Sequence, residues 1–325
     1  MNQGKVRRIC MPQLSHKRSP ARAQAVGTMS LRQCLGQLTR RLGRSGLHFG
    51  HGTDNAGDEA AALLWHVCGL AHRPPPRTLN RRLRAAERER LELLLQRRVR
   101  ERMPLAYLMG YTWFAGLKFY VDPRVLIPRS PIAELIERRF EPWIEARRVR
   151  RIADIGTGSG CIAIACARAF PKALVDAADI DPAALAVAER NIRAHRLKRR
   201  VRPVLSDHFA ALHGRAYDII VSNPPYVGRR ELAGLPPEYR HEPRHALAAG
   251  RAGLDSVRVI LEEAPRFLKA GGILILEVGN TERAVRRQYP HWPFTWLQFA
   301  RGGGGVLMLT REQLEAARKL PRTRA

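Results

Sequence analysis

A doubly wound α/β sheet with a largely parallel core and an antiparallel C-terminal hairpin is the fold this sequence predicts, preceded by a small helical domain. Three observations carry it. Strand-like and helix-like segments alternate from Pro131 onward. A glycine-rich turn follows the first of those strands. Before Met103 only helical periods occur.

Residues 1–29 carry basic side chains and no acidic ones, without a helical or strand period, and read as a disordered tail. Met29 is a plausible true start. Leu31, Leu35, Leu38 and Leu42 recur at helical spacing, and Ala60–Leu70 is a second apolar segment closed by Gly69. Pro74-Pro75-Pro76 reads as a stiff linker, followed by an arginine-studded helix from Asn80 to Met103. Residues 30–110 thus form the helical domain. Over 111–130, Trp113-Phe114, Leu117–Val121 and Val125–Ile127 are short β-branched and aromatic runs split by Gly116 and Asp122-Pro123, a linking β-hairpin. In 131–325, strands are predicted at Arg151–Ile155, Ala173–Asp179, Val201–Ser206, Tyr217–Ser222 and Ile273–Val278. Helices fall at Cys161–Ala169, Pro182–His195 and Ser256–Leu268, and Phe294–Phe299 pairs with Val306–Thr310.

The net charge is +28, from 57 lysines and arginines against 29 acids. Two readings stay open: an anionic partner such as nucleic acid, or a solvated arginine-rich surface. Five cysteines form no Cys-x-x-Cys pair, so neither a disulfide framework nor a metal site is expected, and a reducing cytoplasm is the default. No apolar run reaches the roughly 18 residues of a membrane span.

Asp154-Ile155-Gly156-Thr157-Gly158-Ser159-Gly160 lies where the first strand turns into its helix. Its glycines let the backbone turn tightly and approach a ligand. The spacing G-x-G-x-G, with Cys161 next, departs from the dinucleotide pattern and suits a nucleoside ligand without a pyrophosphate. Asp179 ends the next strand, where a carboxylate accepts from ribose hydroxyls. Asp181, before Pro182, reads as a helix cap. Asp207-His208-Phe209 follows the third strand, where Asp207 can accept from an adenine amino group and His208 can cover its ring.

Asn223-Pro224-Pro225-Tyr226 follows the fourth strand of the alternation. Two prolines stiffen the corner. A planar –NH₂ is a poor nucleophile because its lone pair is delocalised. Acceptors at the Asn223 side-chain oxygen and the Pro224 carbonyl enrich and aim that nitrogen, and Tyr226 can stack on the planar group.

Together these residues resemble class I methyltransferases acting on planar amide or amino nitrogens. With the helical domain and hairpin in this order, the chain resembles the protein N5-glutamine methyltransferases. Strings at Gly50–Asn55, Phe119–Asp122, Leu126–Ile132, Glu238–Pro243 and Phe294–Leu297 are similar to the branch acting on large-subunit ribosomal protein three. The resemblance implies S-adenosyl-L-methionine as cofactor, held by Asp154, Gly156, Thr157, Gly158, Gly160, Asp179, Asp207, His208 and Asn223. It implies a glutamine held by Asn223, Pro224, Pro225 and Tyr226, and a helical domain that helps choose the protein. Methylation on an rRNA-containing assembly intermediate, with no membrane or metal partner, is the expectation for the setting. The alternatives are a release-factor glutamine methyltransferase and a nucleic-acid adenine-N6 methyltransferase. His51 and Thr53-Asp54-Asn55 need no functional role, since Asn55 or Asp54 can simply cap the next helix.

Overall fold

The computed structural model describes residues 29–319, so the basic tail lies outside the described residues but for Met29. Helix α1 (Leu31–Gly43) opens on a reciprocal cap: Ser30 Oγ accepts from Gln33 N, and Gln33 Oε1 accepts from Ser30 N. Leu31, Cys34, Leu38 and Leu42 are buried along one face. Helix α2 (Ala56–Cys68) starts at Asn55, whose side chain accepts from Asp58 N, and stops at Gly69 with φ of 63°. Asn55 therefore does the capping.

Helix α3 (Ala85–Arg100) is shorter than the expected Asn80–Met103. Glu87 sets its start by accepting from Arg84 N and from both guanidinium branches of Arg81. Arg102, at φ of 60°, bars its continuation. Upstream, Pro76–Asn80 is a 3₁₀ turn against α1, and Leu83 N donates to the Met29 carbonyl. The triple proline is therefore a joint inside the helical layer. Helix α4 (Leu105–Met109) completes this layer, whose leucines form their own core.

Strands β1 (Tyr111–Phe114) and β2 (Leu117–Tyr120) pair antiparallel, with Ala115 at φ of 47° and Gly116 at 71° in the turn. Two positive φ values match the twist of a tight hairpin. The remaining elements are α5 (Ile132–Glu137), β3 (Arg151–Ile155), α6 (Cys161–Ala169), β4 (Leu174–Asp179), α7 (Pro182–Ala194), β5 (Val201–Leu205), β6 (Tyr217–Ser222), α8 (Arg229–Gly234), α9 (Asp255–Phe267), β7 (Leu268–Glu277), α10 (Glu282–Gln288), β8 (Thr295–Trp296), β9 (Val306–Thr310) and α11 (Arg311–Ala317). The sheet order is β5-β4-β3-β6-β7-β9-β8. Its first five strands are parallel and the last two pairings antiparallel. Separate apolar clusters cover its two faces, which is why the central strands are apolar almost throughout.

Strand β8 has only two residues, against the expected Phe294–Phe299. Beyond Leu297 the backbone leaves the sheet, because Ala300 N and Arg301 N donate to the Glu134 carboxylate on α5. The glycine run between β8 and β9 is anchored as well: a Cβ on Gly305 would lie 2.2 Å from the Gly279 carbonyl oxygen.

Chain order reverses between β3 and β6, and ligands bind at such switch points outside the strands' C-terminal ends. Register aligns Ile155 with Ser222, and Ser222 Oγ donates to the Ile155 carbonyl at 2.6 Å. The glycine loop and the proline corner therefore leave the sheet side by side.

Candidate cofactor and substrate cleft

A cleft of ≈ 260 Å³ opens at that switch point. Gly156, Thr157, Gly158, Asp179, Asp207, His208, Asn223, Pro224 and Pro225 all line it, so the structure brings most of the predicted site together. Gly156, Gly158 and Gly160 have φ of 76°, 53° and 78°, a region open to glycine and strained for other residues. A Cβ on Gly158 would meet nothing within 4 Å, whereas one on Gly160 would press on Ala188 of α7 at 3.2 Å. Gly158 thus borders open space, and Gly160 lets the helix seat.

Asp154 does not line the cleft. It is fully buried, and its Oδ2 accepts from Thr157 Oγ1 at 2.6 Å and Ala163 N at 3.0 Å, which fixes the loop's shape. Burial pushes its carboxyl up to about 7 against those bonds, and Oδ1 has no partner among the described residues. Asp179 holds the loop from the other strand: Oδ2 accepts from Gly158 N and Oδ1 from Asp181 N. Each oxygen keeps a second lone pair, and burial raises this carboxyl too. Asp181 caps α7 by accepting from Ala183 N, and His245 Nε2 lies 3.1 Å from its other oxygen. Among the described residues, the Asp207 carboxylate meets only the His208 ring, at 2.6 Å. Ile180, 61% exposed, lines the cleft beside Asp179. Sequence reading passed it over, although an apolar residue straight after the strand-end carboxylate was the available signal.

The corner is held from behind. The Asn223 side chain makes no hydrogen bond with any described residue, leaving its carboxamide free at the cleft. Tyr226 does not line the cleft. Its hydroxyl donates to Glu277 Oε1 at 3.1 Å, and its ring covers Gly279, where a Cβ would lie 2.4 Å from Cε2. Ser130 Oγ donates to the other Glu277 oxygen. Through its bond to Glu277, Tyr226 braces the corner.

A methyltransferase small domain model matches residues 140–234, and a PrmC N-terminal domain model matches residues 37–110. The chain is 45% identical to the ribosomal protein uL3 glutamine methyltransferase of Francisella tularensis subsp. tularensis, over 82% of this chain and 86% of that protein. The same-named protein of Bordetella pertussis is 45% identical, over 88% of this chain and 96% of its own. That of Xanthomonas campestris pv. campestris is 48% identical, over 86% and 90%. The chain belongs to the uL3 glutamine methyltransferases. It has their class I methyltransferase fold, and its cofactor is S-adenosylmethionine. The cleft fits that group: open space beside Gly158, spare acceptor capacity on Asp179, and the apolar Ile180 wall.

In this uL3-family enzyme the segment after the corner is locked to the helical domain. Glu242 takes a bidentate bond from Arg129, at 2.6 and 2.8 Å, and accepts from Ile127 N. His51 Nε2 sits 3.4 Å away, so the residue given no role from sequence is part of this joint. Burial pushes the Glu242 carboxyl up, but the His51 ring and Arg129 overcome that and hold it down at about 2. Glu238, wholly buried, accepts from His48 N and pairs with Arg98 and Arg102. Arg98 also pairs with Glu59 on α2 at 2.5 Å.

Glu277 titrates in the opposite sense. Burial pushes it up to about 7, against the bonds from Ser130 and Tyr226. A raised carboxyl binds its proton more tightly when folded. Stability is therefore fullest below the unfolded value of about 4.3 and is lost as pH rises towards 7. Glu277→Gln removes this cost. By urea denaturation, the variant should lose less stability than wild type between pH 5 and 8, by up to roughly 3 kcal/mol. Parallel pH profiles would contradict the assignment.

Proposed function

We propose that this enzyme transfers a methyl group from S-adenosylmethionine to the side-chain amide nitrogen (N5) of a glutamine in ribosomal protein uL3. The observation that carries the chemistry is the unpartnered Asn223 carboxamide, on a two-proline corner beside the glycine loop. When bound, the cofactor supplies a methyl carbon made electrophilic by its sulfonium. Asn223 Oδ1 and the Pro224 carbonyl each accept one N–H of the glutamine amide, drawing density onto the nitrogen and fixing its direction. Pro224 and Pro225 keep the corner from relaxing, and Tyr226, tied to Glu277, braces it. Positioning of this kind supplies up to roughly 7–11 kcal/mol of a barrier. No general base is needed, since the methylated nitrogen becomes acidic enough to release its proton to water.

Asp179 is the proposed ribose acceptor, with Ile180 and Asp207 beside the adenine. Asp179→Ala is expected to weaken cofactor binding about 10–100-fold by calorimetry, the cost of a charged hydrogen-bonding group. Unchanged affinity would remove Asp179 from the site.

The helical domain is the proposed selector of uL3, a role supported by its direct ion pairing to the segment that follows the corner. The setting we propose is the cytoplasm, with uL3 met on an rRNA-containing assembly intermediate. No described helix is long and apolar enough to cross a membrane. Incubating the enzyme with labelled cofactor and either uL3 or naked RNA tests the reading. Label on one uL3 glutamine is expected; label in RNA would overturn it.

A further inference from the structure

We infer that the groove between α8, α9 and α10 binds the phosphodiester backbone of duplex RNA beside the glutamine corner. The groove holds ≈ 1000 Å³ and is lined by Arg229, Arg230, Arg251, Arg258 and Arg287, with Asp255 its one acid. All five arginines are exposed, and none pairs with a carboxylate among the described residues. Other arginines have carboxylate partners: Arg41 meets Glu92, Arg202 and Arg215 meet Asp176, and Arg286, next to Arg287, meets Glu282. Of the basic surfaces, this groove is the one that adjoins the proline corner.

The groove's place is fixed by close packing. A Cβ on Gly228 would lie 3.2 Å from the Arg251 carbonyl oxygen, and one on Gly253 2.2 Å from the Tyr226 carbonyl oxygen. The groove wall and the proline corner therefore share backbone. On the first turn of α9, Asp255 lines the groove and its neighbour Ser256 lines the cofactor cleft.

Arginine forks suit phosphate oxygens. No aromatic side chain lines the groove, so it lacks the stacking platforms with which single strands are held. A duplex read by its backbone alone needs none. The choice of RNA rests on the proposed meeting with uL3 on rRNA: a substrate carried on RNA is drawn in by the arginines that hold the RNA phosphates.

The test is fluorescence anisotropy of a labelled RNA hairpin with the full chain across a salt series. Arg258→Glu/Arg287→Glu is expected to weaken binding at least tenfold and to lower the slope of log affinity on log salt by about 2, near 0.9 per lost contact. Lys198→Glu/Arg199→Glu, just before β5 at the far end of the sheet, removes the same charge and should change affinity less than about threefold. Methylation of free uL3 and the melting temperature report that each variant is folded. Arg258→Gln/Arg287→Gln replaces the first pair if it is not. Equal weakening by both pairs, no hairpin binding by wild type, or preference for an unpaired strand would overturn the groove. Such a result with free uL3 still methylated would leave the glutamine reading standing. Loss of uL3 methylation with RNA binding intact would do the reverse.

Discussion

Asn223→Ala is expected to abolish glutamine methylation while S-adenosylmethionine still binds. The alanine keeps the backbone at the end of β6 and removes the acceptor that our account gives to one amide N–H. Loss of one preorganised polar contact costs about 10²–10³ in rate. Here the same contact both enriches and aims the nitrogen, so the loss should reach the upper end. Calorimetry should show cofactor affinity within a few-fold of wild type, because the glycine loop and Asp179 are held by bonds that Asn223 does not share. Equal loss of binding and turnover would mean that Asn223 supports the cleft wall and not the substrate.

Arg98→Ala is expected to be the most destabilising single change, by about 3–5 kcal/mol, the usual cost of stranding a buried charge. The guanidinium is almost wholly buried and meets Glu59, Glu238 and the His48 carbonyl. Its removal leaves two buried carboxylates short of a partner and unfastens α3 from the segment after the corner. Thermal melting should fall by about 10 °C at the few degrees per kcal/mol of a chain this size. Arg98→Met is expected to lose nearly as much, because it restores packing without countering Glu59 and Glu238. A melting point within a few degrees of wild type would mean that the joint contributes little to the fold.

The doubly wound sheet, the loop at Gly156 to Gly160, the carboxylate at Asp179 and the corner at Asn223 were legible in sequence because each follows from local rules. Strand and helix periods, obligatory glycines and paired prolines all act within a few residues. Where sequence reading fell short, a distant partner decided the outcome. Strand β8 ends where Glu134, far back on α5, takes the backbone away. Nothing local to Tyr226 reveals its bond to Glu277, which lies on β7. His51 looked idle because Glu242 lies far along the chain. Charge count alone left nucleic acid and bland surface undecided, and only the fold gathers Arg229, Arg251, Arg258 and Arg287 around one groove.

The most direct test of the account is a crystal structure with S-adenosylhomocysteine and a glutamine-containing uL3 peptide. Our account predicts the glutamine amide nitrogen within hydrogen-bonding reach of both Asn223 Oδ1 and the Pro224 carbonyl, and pointing at the cofactor sulfur. A glutamine bound elsewhere, or an Asn223 side chain turned away from it, would contradict the account.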